Sequence, residues 1–81
     1  MSTVTVQLFA SYADLLGAPS VELPHTPGTT VRDLIARIRS LPGASLLPIT
    51  PRIAVNRSFA AYDQLIALTD EIALIPPVAG G

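Results

Sequence analysis

The stretch TVRDLIARIRSLPG, residues 30–43, decides the fold of this chain of 81 residues. Its apolar side chains recur every three or four positions, which predicts an amphipathic helix with one buried stripe. The stripe consists of Val31, Leu34, Ile35, Ile38 and Leu41. Thr30 and Asp33 have the spacing of a capping box, and Pro42 with Gly43 forms an exit. We therefore expect a helix of about three turns between these two signals.

The segments on both sides of this helix alternate apolar and polar residues, as half-buried strands do. Before the helix, residues 3–9 alternate strictly, and residues 20–24 alternate more briefly up to Pro24. A proline at that position ends the strand and suits the edge of a sheet. After the helix, residues 52–56 and 71–75 predict two further strands.

Two stretches connect these elements. Residues 44–51 carry two prolines and predict an ordered loop whose leucines pack inward. Residues 57–70 predict a brief strand or turn around Phe59 and a turn near Thr69 and Asp70. One amphipathic helix among four strands can cover only one sheet face, so the order predicts an α+β fold. Its class is a β-grasp (ubiquitin-like) roll with a mixed sheet and one main helix.

Composition excludes several classes of function. Hydrophobic residues make up 49% of the chain and the mean hydropathy is +0.51, so we expect an exposed apolar patch that binds a partner. The net charge of -1, without any run of like charges, argues against nucleic acid as a ligand. The absence of cysteine excludes disulfides and the usual zinc ligand sets, and we expect no metal site. No apolar run is long enough to span a membrane, so the expected location is the cytoplasm.

The chain closes with IPPVAGG, residues 75–81. Its two prolines cannot donate to a sheet ladder, so we expect a β-grasp domain over residues 1–76 and a flexible Gly-Gly tail over residues 77–81. The last four residues, fully extended, reach ~13 Å, and the glycines keep them thin enough for a narrow channel. The terminal carboxylate of Gly81 is then a candidate reactive group that a partner must first activate. The alternative is an ordinary frayed terminus.

Four segments, in this order, resemble the small subunits of molybdopterin synthase, which are ubiquitin-like sulfur carriers. They are LFASYADLLG at residues 8–17, AVN at 54–56, DEIALIPPV at 70–78 and the terminal Gly80 and Gly81. The resemblance covers essentially the whole chain. It implies that an E1-like enzyme adenylates Gly81 with ATP and that a sulfurtransferase persulfide converts it to a thiocarboxylate. The sulfur then passes to cyclic pyranopterin monophosphate during molybdenum cofactor synthesis.

The resemblance also implies partners. The chain would be a sulfur-donor subunit and no enzyme by itself, without a bound cofactor, in a heterotetramer with a large catalytic subunit. The absence of lysine and cysteine agrees, because catalytic groups must then come mainly from a partner. The tail that enters the partner, besides Gly81, would consist of Pro77, Val78, Ala79 and Gly80.

Three apolar residues are predicted to dock the large subunit. Alternation places Phe9 and Ile75 opposite the buried face, and the first and last strands of a β-grasp sheet are neighbours. Phe59 stands where the resemblance implies another hydrophobic contact. Arg52 and Arg57 flank the third strand and are candidates to hold acidic groups of a partner, although isolated surface arginines are usually only solvated.

Three other positions bear on the interpretation. His25 lies between prolines without a second candidate ligand nearby, so we expect a solvated surface residue in a turn and no base or metal ligand. Ala13 stands where the family often has arginine, which questions a salt bridge there. Thr69 replaces a common glycine, which predicts a turn without positive φ.

Three alternative functions remain open. A sulfur carrier for thiamine or cysteine synthesis would share the fold and the Gly-Gly end. A ubiquitin-like modifier would use the same activated carboxylate to form an amide with lysines of target proteins. In an interaction domain whose terminus does not react, the carboxylate of Gly81 would have no chemical part.

Overall fold

A computed structural model of the chain describes residues 2–9, 11–44 and 51–75. Its elements are β1 (Ser2–Leu8), α1 (Ser11–Leu16), β2 (Ser20–His25), α2 (Val31–Arg39), β3 (Arg52–Val55), β4 (Ser58–Phe59) and β5 (Ile72–Ile75). The strands form one five-stranded sheet in the order β2-β1-β5-β3-β4. β1 and β5 are parallel and the other neighbours are antiparallel, which confirms the mixed sheet of the predicted β-grasp class.

Helix α2 begins where the capping box predicts. The backbone N–H of Asp33 donates to the Thr30 hydroxyl at 3.3 Å, and the Thr30 backbone N–H donates to Asp33 Oδ2 at 3.0 Å. Hydrogen bonding of the Asp33 carboxylate to Thr30, first to its backbone N–H and second to its side chain, holds the pKa of that carboxyl below its ordinary value. The carboxylate therefore carries its full charge at neutral pH, next to the positive end of the helix dipole.

The end of α2 differs slightly from the prediction. The helix stops at Arg39, and Leu41 lies in the following turn, where it is half-buried against the core. Gly43 has φ +86°, and a Cβ on it would overlap the carbonyl oxygen of Leu15 in α1. Glycine is therefore required here both by the backbone angle and by the close approach of α1.

The core lies between the inner face of the sheet and α2. Alternation along β1 and β5 sends every second side chain inward, as predicted. The largest of the fully buried side chains are Leu34, Ile38, Ile53, Ile72, Leu74, Val6, Val31 and Pro51. The part of the predicted loop at residues 45–50 lies outside the described residues.

Helix α1 is an element that the sequence analysis missed. Tyr12 is the buried residue that anchors this helix to the core. Ala13, at the position where the family often has arginine, is half-buried and packs against the core. Gly17, at φ +75°, donates its N–H to the Ala13 carbonyl at 2.9 Å and ends the helix. Burial raises the pKa of the Tyr12 phenol, whose oxygen makes no hydrogen bond within the described part of the chain.

The description of β2 corrects two predictions. The strand does not end at Pro24 but continues to His25, because β2 is an edge strand and leaves one side of its backbone unpaired. His25 is neither in a turn nor merely solvated: its Nε2 donates to the carbonyl of Ile66 at 2.6 Å. The half-buried imidazole thus ties the end of β2 to the segment that follows β4.

The turn before β5 agrees with its prediction. The N–H of Asp70 donates to the carbonyl of Ala67 at 3.0 Å, and the carboxylate of Asp70 accepts from the Ala67 N–H at 2.8 Å. Thr69 does not have a positive φ, as predicted, because a β-branched side chain disfavours that backbone conformation.

Candidate functional site

The outer face of the sheet, opposite α2, carries a cleft of about 320 Å³. Its floor is formed by Ala54 and Ala73, which are directly paired between β3 and β5. Two methyl groups side by side leave a hollow where larger residues would fill the surface. The cleft is lined by Gln7, Phe9, Ala54, Arg57, Phe59, Glu71, Ala73 and Ile75.

The walls of the cleft are the three apolar residues proposed as a docking surface. Phe9 and Phe59 are 45% and 57% exposed, which is unusual for phenylalanine, and Ile75 is half-buried. The structure therefore brings Phe9, Phe59 and Ile75 to one concave surface. Their contact with a partner stays a prediction.

A tight hairpin holds the Phe59 wall in place. The two residues between β3 and β4, Asn56 and Arg57, have φ of +52° and +69°. Two successive positive φ values are those of a type I′ turn, whose twist matches that of the flanking strands. Asparagine tolerates this conformation well, whereas arginine pays a steric penalty.

Asn56 also fastens the hairpin to the start of β5. Its backbone N–H donates to the Glu71 carbonyl at 2.7 Å, and its side-chain Oδ1 accepts from the Glu71 N–H at 2.9 Å. Its Nδ2 donates to Asp70 Oδ1 at 3.0 Å. Three hydrogen bonds from one residue thus set the spacing between two sides of the cleft.

Replacing Asn56 with alanine is expected to destabilise the fold by about 2 to 3 kcal/mol, because two side-chain hydrogen bonds are lost and alanine disfavours positive φ. Asn56→Gly is the matched control, since it loses the same bonds but adopts the angle freely, and should cost about 1 to 2 kcal/mol. Urea unfolding of the three proteins measures both. Equal losses in the two variants would show that the backbone angle contributes nothing.

The two arginines at this surface differ in their partners. Arg57 Nε donates to Glu71 Oε2 at 3.3 Å, in an ion pair whose side chains are 87% and 47% exposed. Such a pair contributes little to stability but neutralises its own charges. Arg52 instead places its guanidinium carbon 3.9 Å from the centre of the Phe59 ring.

The tail lies outside the described residues. Ile75 is the last residue that the structure describes, and it lines the cleft. The sites proposed at Pro77, Val78, Ala79, Gly80 and Gly81 therefore stay predictions, as does the division into residues 1–76 and 77–81. Along the sequence, only Pro76 separates Ile75 from that tail.

Sequence reasoning missed the floor and the fastening of this site. Alternation predicts that Ala54 and Ala73 lie on the outer face, but no local pattern predicts that they are directly paired. Asn56, Asp70 and Glu71 were interpreted only as the ends of strands and turns. Their hydrogen bonds join positions up to 15 apart along the chain, which no local pattern indicates.

Other kinds of site are not seen in the described ranges. Within residues 2–9, 11–44 and 51–75, no group of three or more acidic or histidine side chains is arranged to hold a metal ion. Over the same ranges, no helix has the length and apolar character needed to cross a membrane.

Comparison with known proteins places the chain in one family. A model of the ThiS family matches residues 6–81. A molybdopterin synthase sulfur carrier subunit of Mycosarcoma maydis is 37% identical over 87 residues, covering 98% of this chain and 94% of that protein. The protein of the same name from Dictyostelium discoideum is 35% identical over 81 residues, covering 94% and 93%.

A solved structure shows the same fold. The small archaeal modifier protein 1 of H. volcanii superposes with a TM-score of 0.79 at 25% identity, covering 96% of this chain and all of that one. This likeness confirms the predicted fold, and the family match and the sequence relatives confirm the resemblance drawn from the segments at residues 8–17, 54–56 and 70–78 and the terminal glycines.

Proposed function

This chain belongs to the ThiS family, and on that premise we propose that it is the sulfur carrier subunit of a molybdopterin synthase. The observation that carries the proposal is that the family match runs through Gly80 and Gly81, to the end of the sequence. Relatives of nearly the same length, at 35% and 37% identity, bear that name. The chain supplies the sulfur, and a partner supplies the catalytic groups.

The proposed chemistry takes place at the carboxylate of Gly81. An E1-like enzyme binds ATP, and a carboxylate oxygen of Gly81 attacks the α-phosphate and expels pyrophosphate. The resulting acyl-adenylate is an electrophile, whereas the free carboxylate is not. A persulfide sulfur from a sulfurtransferase then attacks the carbonyl and displaces AMP, which gives an acyl disulfide. A thiol, as the reductant, attacks the sulfurtransferase sulfur of that bond, forms a disulfide with it and releases the thiocarboxylate. This species donates sulfur to cyclic pyranopterin monophosphate.

The cleft has a separate task in this proposal. A tail of a few residues can reach into an active site only while the folded body is held against the protein that contains it. The walls at Phe9, Phe59 and Ile75 form an exposed apolar surface of the kind that protein partners cover. We assign to it the docking of the large catalytic subunit, with the heterotetramer as the expected assembly.

Sulfur loading is directly measurable. Incubation with the activating enzyme, ATP, a sulfurtransferase and a sulfur source should raise the intact mass by the difference between one sulfur and one oxygen atom. Omission of ATP is the control and should leave the mass unchanged, because no adenylate forms. A mass that does not change in the complete mixture would contradict the proposal.

A second candidate is a ubiquitin-like protein modifier, which the likeness to the small archaeal modifier protein favours. It would require the activated Gly81 to form an amide with a lysine of another protein, since this chain has no lysine of its own. Higher-mass conjugates in host cells, seen with an antibody to the chain, would support this candidate. If the chain carries a thiocarboxylate in these cells and no conjugates form, only the carrier function is supported.

A further inference from the structure

Arg52 lies against Phe59, one wall of the cleft, and has no acidic partner within residues 2–9, 11–44 and 51–75. It is directly paired with Ile75 across β3 and β5, and it lies two residues before Ala54, which pairs with Phe59. Alternation therefore places Arg52 on the outer face with the cleft walls. Its guanidinium lies 3.9 Å from the centre of the Phe59 ring.

The stacked geometry leaves the donors of Arg52 available. A guanidinium that lies over a ring uses its flat face, and its five N–H groups point outward in the plane. Within the described part of the chain, Arg52 makes no hydrogen bond or ion pair with another residue, whereas Arg57 is paired with Glu71. One rim of the cleft is thus electrically balanced, and the Phe59 side carries a positive charge.

We propose that Arg52 is the receptor for a carboxylate on the protein that docks in the cleft. The partner surface would place an apolar side chain between Phe9, Phe59 and Ile75, with an aspartate or glutamate beside it on the guanidinium of Arg52. This inference rests on the proposed function for the identity of the docking protein, which is the large subunit of molybdopterin synthase.

The charges at the cleft argue for this occupant over an uncharged or basic one. The floor is apolar and offers no selection by charge, and the Arg57–Glu71 pair has no net charge. A basic group brought beside Arg52 would be repelled, while a carboxylate gains two parallel charge-assisted hydrogen bonds. Because stacking on Phe59 already restricts the side chain, less freedom is lost when the carboxylate binds.

The test compares Arg52→Gln with Arg32→Gln, a change at an exposed residue of α2 that does not line the cleft, in binding to the large subunit from the same host, measured by calorimetry at low and high salt. Both variants remove one positive charge, so general electrostatic attraction falls equally. We expect Arg52→Gln to raise the dissociation constant by roughly 10-fold to 100-fold and to reduce its salt dependence. Arg32→Gln should raise the dissociation constant by less than about 5-fold, because its charge lies away from the cleft and is screened by salt. Unfolding midpoints in urea should stay close to that of the unmodified chain.

Two further measurements decide the geometry. Arg52→Lys keeps the charge but loses the planar fork of N–H donors. This variant should therefore bind the large subunit more weakly than the unmodified chain, by about 5-fold or more. Neutralising single acidic residues of the large subunit should identify one whose loss is not additive with Arg52→Gln.

Three results would overturn the inference: equal losses in the two glutamine variants, full binding by Arg52→Lys, or strict additivity with every acidic residue. Failure of the unmodified chain to bind the large subunit would contradict the proposed partner itself, and with it this inference. Sulfur loading, measured separately by mass, reports on the carrier chemistry without the large subunit.

Discussion

Deletion of Gly81 is expected to abolish sulfur loading and sulfur transfer completely while leaving the fold intact. The variant still ends in a carboxylate, but that group stops about 3.5 Å short of the position it must reach at the nucleotide. A near-attack geometry does not tolerate such a displacement, since an error of about 1 Å already costs roughly 100-fold in rate. Adding one bulky residue after Gly81 should be as damaging, because the reacting carbonyl is then an internal amide.

Ala79→Gly provides the matched control for the tail. It changes the tail chemically but keeps its length and small cross-section, so loading should stay near that of the unmodified chain. Intact mass after incubation with the activating system and ATP reports loading, and cofactor formation in host cells reports transfer. A chain without Gly81 that still gains sulfur would exclude the terminal carboxylate of Gly81 as the site.

Most of the fold is predictable because its elements follow simple periods. The alternation of β1 and β5 and the three-and-four spacing of α2 each specify one buried face, and of the two helices in the described part of the chain α2 is the longer, with nine residues against six. The capping box of Thr30 and Asp33 fixes the helix start, since both of its hydrogen bonds form as expected. These patterns involve only residues close together in the sequence, and the structure contains the elements that they predict.

The missed elements depend on contacts between distant segments. α1 has only six residues, too few to be stable alone, and its deeply buried Tyr12 becomes a helix anchor only when the core exists. The same holds for His25, whose hydrogen bond acceptor is the carbonyl of Ile66, 41 positions later. A lone histidine between prolines gives no sign of such a partner.

The candidate site divides in the same way. Alternation and the neighbouring first and last strands were enough to place Phe9 and Ile75 on one outer surface, whereas Phe59 was added only on the family resemblance. The hollow between them depends on the register that sets Ala54 opposite Ala73, and a shift by one residue would replace it with buried side chains. The Asn56–Arg57 turn lacks the Asn-Gly sequence that usually indicates a type I′ hairpin.

Replacing Phe59 with alanine is expected to weaken binding of the large subunit by about 30-fold to 1,000-fold, the range of an aromatic hot spot worth ~2 to 4 kcal/mol. Phe59 is a cleft wall and also the platform on which Arg52 lies, so its removal affects both the apolar contact and the orientation of the cation. Because 57% of the side chain is already exposed, the unfolding midpoint should change little.

Leu65→Ala is the control that separates the cleft from general surface hydrophobicity. Leu65 is 65% exposed, more than Phe59, but it does not line the cleft. If docking depended only on exposed apolar area, the two variants would lose comparable affinity, and the cleft would have no special part in it. If the cleft is the docking site, Leu65→Ala binds within about 3-fold of the unmodified chain, because residues outside a buried interface centre contribute little. A large loss in Leu65→Ala with none in Phe59→Ala would move the interface to the segment between β4 and β5.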